Sequence, residues 1–190
     1  MKRNKLIQLL TEYIPSAQEE KEAKERMLAF AHQHEDCFER SLEIGHFTAS
    51  AWLLNKDKSK VLLMLHAKFN VWCQLGGHCD GDHDVLSIAV KEAQEESGIQ
   101  NIVPVSEKIF DLDIHRIPAN KKEKEHDHYD VRFLLQVTSN EQFIQNRESK
   151  ELRWIAKNRD ELPTDSLFVV RMFNKWTCAK FCLVLFYLTV

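Results

Sequence analysis

Three glutamates, Glu92, Glu95 and Glu96, follow the glycine-rich stretch Gly76-Gly77-His78-Cys79-Asp80-Gly81-Asp82-His83. The residues from Asp84 to Ser97 read as a helix, on which the three carboxylates fall within an arc of about 100°, the i, i+3, i+4 relation that brings side chains together. Carboxylates crowded in this way repel one another unless something positive sits among them. A hard divalent cation meets that need: Mg²⁺, with Mn²⁺ as the alternative ion, takes carboxylate oxygens and completes its coordination with water and phosphate. The pattern points to phosphate chemistry, and with equal weight the residue types alone fit a solvated acidic helix face.

The elements that must hold these residues can be read from the same sequence. Leu86, Ala89, Val90 and Ala93 fall on a neighbouring arc, giving the helix an apolar side to bury while its acidic side stays open. Asp82 or Asp84 supplies a cap at its start, and Gly98 the left-handed residue at its end. Ahead of it, His46 to Leu54 and Lys60 to His66 alternate as a hairpin about the turn Asn55-Lys56-Asp57-Lys58-Ser59, and Leu75 leads into the glycines. After it, Ile102 to Asp113 predicts a strand ended by His115-Arg116-Ile117-Pro118, Tyr129 to Val137 a second, Leu152 to Ile155 a third, and Ser166 to Trp176 a helix. Residues 139–149 read as a loop or short helix. Residues 3–13 and 16–34 predict two helices before the first strand, the second opened by a Ser16/Glu19 capping box.

The chain has 190 residues, 44% of them apolar, enough for one well-buried core and too few for two ordinary domains. A formal net charge of −3 with acids and bases mixed advertises no nucleic-acid surface, so a small nucleotide or diphosphate is the expected partner. No apolar signal follows Met1-Lys2-Arg3, and Cys37, Cys73, Cys79, Cys178 and Cys182 are odd in number without a disulfide-like framework, so a cytoplasmic location is expected. The boundaries expected are an N-terminal helical extension at 1–40, a catalytic domain at 41–176 and an apolar tail at 177–190. That tail is shorter than the roughly 20 residues needed to span a bilayer, so no membrane partner is expected. The extension reads mainly as a solvated face, with homodimerisation or coverage of the pocket as the other uses; the tail reads as a packing segment, with a dimer seam or membrane-interface contact as the others.

Other side chains could also do chemistry. His66 and Lys68, after a strand, could reach a phosphate or simply face solvent. His78, Cys79 and His83 suggest a zinc site but lack a fourth ligand at motif spacing. His128 and Asp130 share one face of their strand and could line a pocket, while Glu123, Glu125, Asp127, Asp130 and Glu148 are loop or strand acids among which the sequence does not choose.

In order and spacing, Gly77, Lys91, Glu92, Glu95, Glu96, Gly98 and Ile99 resemble the Nudix box, whose pattern is G-x5-E-x7-R-E-U-x-E-E-x-G-U with U aliphatic. Two positions depart: the early glutamate falls on His83, with Asp82 beside it, and the arginine falls on Lys91, which keeps the charge and loses the planar fork. Likeness extends from about Gly45 to Trp154, including Gly45-His46-Phe47-Thr48-Ala49-Ser50-Ala51-Trp52 and His128-Tyr129-Asp130-Val131-Arg132-Phe133. The resemblance implies an α/β Nudix fold, a mixed β-sheet sandwiched between α-helices, and Mg-dependent hydrolysis of a diphosphate linkage in a nucleoside diphosphate derivative. It implies metal held by Glu92, Glu95, Glu96 and the Gly76 carbonyl, with Lys91 orienting the glutamates and a loop acid as base. A non-catalytic nucleotide-sensing module, and less so an isomerase like those acting on isopentenyl diphosphate, are the rival readings.

Overall fold

The computed structural model describes residues 3–120 and 123–178. Helices α1 (Asn4–Glu12) and α2 (Gln18–Gln33) precede strands β1 (Gly45–Leu54), β2 (Lys60–His66), β3 (Trp72–Cys73) and β4 (Leu75–His78). Helix α3 (Val85–Ser97) follows, then β5 (Ile102–Ile117), β6 (His126–Val137), β7 (Ser149–Ala156) and α4 (Leu167–Cys178). The strands form one seven-stranded sheet in the order β3-β2-β1-β6-β5, with β4 also on β1 and β7 on β2. It is mixed because β1 and β6 run parallel over their whole length while the remaining pairs are antiparallel.

Alternation along β1 sorts the layers. Phe47, Ala49, Ala51 and Leu53 join Val131, Phe133 and Leu135 in a core closed by α1, α2 and α3. Trp52 and Leu54 point the other way and pack with Val61, Leu63, Met172, Phe173 and Trp176 beneath α4. The sheet thus lies between helices, as expected. The face beneath α4 also carries polar side chains: Thr48 and Ser50 on β1 stand opposite Asp130 and Arg132 on β6.

Three sequence expectations are adjusted. The strand expected to end at His115 continues through Ile117, because His115, Arg116 and Ile117 pair with His128, Asp127 and His126 and only Pro118 lacks the donor to go on. Likewise β6 begins at His126 rather than Tyr129. Ser16 bonds Glu20, not Glu19: its N–H donates to the Glu20 carboxylate at 2.8 Å, and the helix starts one residue after Ala17. Of the two readings for residues 139–149 the loop is the one present, with Ser149 opening β7, and the expected tail, apart from Thr177 and Cys178 at the end of α4, lies outside the described residues. Among the described residues no helix is long and apolar enough to cross a membrane.

Candidate active site

Helix α3 is capped as its sequence suggests. The Asp84 carboxylate accepts from the Ser87 N–H at 3.4 Å, and Gly98 closes the other end in the left-handed region at φ 73°. Ala89 and Ala93 are buried against β1 and β4, which fixes the rotation of the helix. Glu95 is 58% exposed and Glu92 is half-buried. Glu96 differs from the expected open acidic face: it is 3% exposed and accepts from the Gly76 N–H at 2.7 Å. The correction has a packing reason. Gly77 has no side chain, so α3 lies close enough that a Cβ there would overlap the Glu92 carboxylate, and this approach draws Glu96 beneath the strand.

Burial foremost, then repulsion from Glu92, Glu148 and Glu95, outweighs the Gly76 N–H and pushes Glu96 up to about 8. Burial also raises Glu92, against Lys91. Lys91 Nζ stands 3.5 Å from Glu92 and 3.5 Å from Glu95, so the lysine does occupy the place between the acids. His83 and Asp82 are exposed side by side at 3.5 Å.

Of the candidate loop acids, Glu148 acts electrostatically on both Glu92 and Glu96. Its segment docks on the end of α3: the Ile144 N–H donates to the Ser97 carbonyl at 2.7 Å, and Asn146 Nδ2 donates to the Glu95 carbonyl at 3.2 Å. The Glu148 carbonyl accepts from the Ala67 N–H at 2.8 Å. Glu125 and Asp127 are engaged elsewhere, by Arg116 and, for Asp127, also by Arg26 at 3.1 Å. Glu123 accepts from Asn120 Nδ2 at 3.1 Å.

On the other face of β4 lies a cavity of about 320 Å³, bounded by Gly76, Gly77 and His78 and lined also by His66, Phe69, Cys73, His128 and Asp130. His66, His128 and Asp130 are thus brought to one cavity. Lys68 is not among the lining residues; its Nζ lies 5.0 Å over the Phe69 ring. Asp130 accepts at the floor from Ser50 Oγ (2.7 Å), Thr48 Oγ1 (3.0 Å), Gln74 Nε2 (3.1 Å) and Arg132 Nε (2.7 Å). Arg132 in turn donates to Asp111 and Asp113, both at 3.0 Å. The chain continues through Arg171 and Lys175 of α4 to Glu20 and Tyr13 of the N-terminal helices. Cys73, in the lining, is kept as a thiol, burial pushing it up to about 12.

Five histidines meet beside this cavity, with His78, His115 and His128 in its lining; His46 and His115 have no expected role in the sequence. His46, His78 and His128 bring ring nitrogens within 4.8 Å of one another, with His126 stacked on His46 and His115 edge-on to His128. Burial lowers His46 and His78 to about 4 and His128 to about 2, so the rings are neutral. Of the trio His78, Cys79 and His83, only His78 belongs to this cluster; Cys79 is buried and its thiol is raised by burial.

The glycines of β4 thus have the acids of α3 on one side and a cavity on the other. A family model, the NUDIX domain, matches residues 45–166, and the chain belongs to that family, whose members are hydrolases acting on acid anhydrides. Similar solved structures include a C. elegans Ap4A hydrolase in a binary complex (16% identical, TM-score 0.55, covering 69% of this chain and 94% of that one). A MutT Nudix hydrolase from Burkholderia pseudomallei is 19% identical with a TM-score of 0.54, over 70% of this chain and 98% of that one. A Nudix-family hydrolase from Clostridium perfringens is 26% identical with a TM-score of 0.50, over 69% and 95%. Among curated protein sequences none matches this one.

Proposed function

We propose that this protein hydrolyses a diphosphate linkage in a nucleoside diphosphate derivative, with Mg²⁺ or Mn²⁺ held by Glu92, Glu95, Glu96 and the Gly76 carbonyl. The observation that carries the reading is the state of Glu96. A carboxyl group buried to 3% exposure is driven towards its neutral form by that burial first and then by repulsion from Glu92, Glu148 and Glu95. Oxygen donors gathered on one helical turn fit a hard divalent ion, which relieves that repulsion. When bound, such an ion neutralises charge on phosphate oxygens and acidifies a coordinated water.

The chain's own groups account for the rest. The Gly76 N–H orients Glu96, and Lys91 restrains Glu92 and Glu95. Glu148, on a segment pinned to α3, is the general base that takes a proton from the attacking water. Gly76 and Gly77, packed between the Ser50 hydroxyl and the Glu92 carboxylate, form the strand along which a diphosphate passes from the acids to the cavity. The group beyond it enters the cavity, where Asp130, pinned by four donors, and His66 and His128 offer polar contacts. Such a substrate is a free small molecule, and a reducing, cytoplasmic setting suits the free cysteines Cys37, Cys73, Cys79 and Cys178. The residue boundaries 1–40, 41–176 and 177–190 belong to this proposal as extension, catalytic domain and tail.

The test is phosphate release, directly or after phosphatase coupling, from ADP-ribose, NAD(H), dinucleoside polyphosphates, coenzyme A, nucleotide sugars and nucleoside triphosphates, with Mg²⁺ or Mn²⁺. The expected result is metal-dependent turnover of one class, falling at least about 100-fold in Glu96→Gln with the fold retained. Full activity in that variant overturns the proposal. The sensor reading rests on exposed His83 standing where the family pattern has a glutamate; tight binding of one compound without turnover would favour it.

A further inference from the structure

We propose that His46, His78 and His128 form a second metal site, separate from the glutamates of α3, that binds Zn²⁺ in the wall of the cavity. Three strands build it. Parallel pairing of β1 with β6 sets His46 directly opposite His128, and antiparallel pairing of β1 with β4 sets His78 opposite Thr48, two residues along on the same face of β1. Their ring nitrogens converge within 4.8 Å.

The second observation is the state of His46. It is 3% exposed, and neither ring nitrogen has a hydrogen-bond partner. A buried imidazole left wholly unsatisfied is costly, and a cation shared with two neighbouring rings would satisfy the ring nitrogen of His46 that carries the lone pair. The ring of His128 is held from behind: His126 Nε2 lies 3.2 Å from His128 Nε2, while His126 Nδ1 is bonded to the Lys124 carbonyl at 2.8 Å. Outer-shell bonds of this kind orient metal-bound histidines.

The chemistry of the donors selects the ion. Three neutral imidazoles suit Zn²⁺ and other borderline transition ions, whereas Mg²⁺ and Ca²⁺ take oxygen. Three protein nitrogens leave the fourth tetrahedral position for water or an exchangeable ligand. Since His78 and His128 line the cavity, that position is supplied from the cavity, by water or by an anionic oxygen of whatever compound occupies it.

The experiment uses the full chain stripped with chelator, reloaded with Zn²⁺, passed through gel filtration and assayed for metal by mass spectrometry. Expected is one zinc per chain in the wild type and in Glu96→Gln, and none above background in the His46→Phe/His128→Gln double variant. In a competition against a chromophoric chelator, His46→Phe alone should weaken zinc binding by at least about 100-fold. His46→Phe also separates binding from folding. It removes an unsatisfied buried ring while keeping its size, so the metal-free variant should melt no lower than the wild type, and Zn²⁺ should raise the melting temperature of the wild type only. If the double variant does not fold, Co²⁺ in the wild type gives the answer, since intense tetrahedral absorption supports the site and weak octahedral absorption overturns it. Zinc that is absent from the wild type, or that leaves with Glu96→Gln and stays in the histidine variants, overturns the proposal.

Discussion

Replacing Arg132 with methionine removes a guanidinium that is 1% exposed and bonded to three acids: Asp130 through Nε at 2.7 Å, and Asp111 and Asp113 through Nη1 and Nη2 at 3.0 Å. Around it, Arg132, Arg171 and Lys175 face Asp111, Asp113, Asp130 and Glu20, so three cations already serve four acidic side chains. Taking one partner from a buried ion pair costs about 3–5 kcal/mol, because the other charge stays buried. Here every acid keeps other donors: Asp130 has Thr48, Ser50 and Gln74, Asp111 has Arg171 and Lys175, and Asp113 has Arg171. The expected loss is therefore near the lower end, about 3 kcal/mol, or a fall in Tm of about 6–12 °C for a chain of this size. Equilibrium urea unfolding at pH 7 measures it. Burial alone would raise Asp111 and Asp113, yet the Arg171 hydrogen bonds and the Arg132 charge hold Asp111, and the Arg132 charge and the His115 hydrogen bond hold Asp113, below the usual carboxylate range. Folded-state values below the unfolded ones give stability that is present above about pH 4 and lost as pH falls below it. Wild-type stability should thus decline below about pH 4, and the gap to Arg132→Met should narrow there. A loss under about 1 kcal/mol at pH 7, or a gap unchanged in acid, would refute the assigned role of the network.

Three further outcomes follow from the site. Glu148→Gln should lower kcat by about 100-fold with little change in KM, the signature of a lost general base, seen in steady-state kinetics over the substrate panel. Gly77→Ala should cost no more than about 1 kcal/mol, because the new Cβ meets only the movable Glu92 carboxylate, and should reduce activity at least tenfold by displacing that carboxylate; a calorimetric melt and a turnover assay report the two effects. Lys91→Arg should tighten Mg²⁺ activation several-fold, because the planar fork holds a carboxylate in two places where Nζ stands 3.5 Å off; a metal titration of the rate reads it.

The acidic helix was legible because its information is local. The 3.6-residue period, Asp84 before it and Gly98 after it specify where α3 begins, ends and which arc is apolar, and the structure places it at Val85–Ser97. Strand ends were less legible, since His115 to Ile117 continue β5 only because His126 to His128 are there to pair with them. The burial of Glu96 was hidden for a similar reason: a glutamate on a polar arc reads as exposed until β4 is laid against it, and Gly77 is what permits that approach.

By itself the sequence determined the periodic elements, the spacing of the three glutamates and the family pattern around them. All of these rest on neighbours within a turn or two of helix, or on alternation within one strand. Tertiary structure alone decided which distant residues meet. Glu148 reaches the acids through a segment docked on the end of α3, Arg132 gathers acids from β5 and β6, and His46, His78 and His128 converge from three strands. Such meetings depend on strand order and register, which long-range pairing sets and no local period encodes.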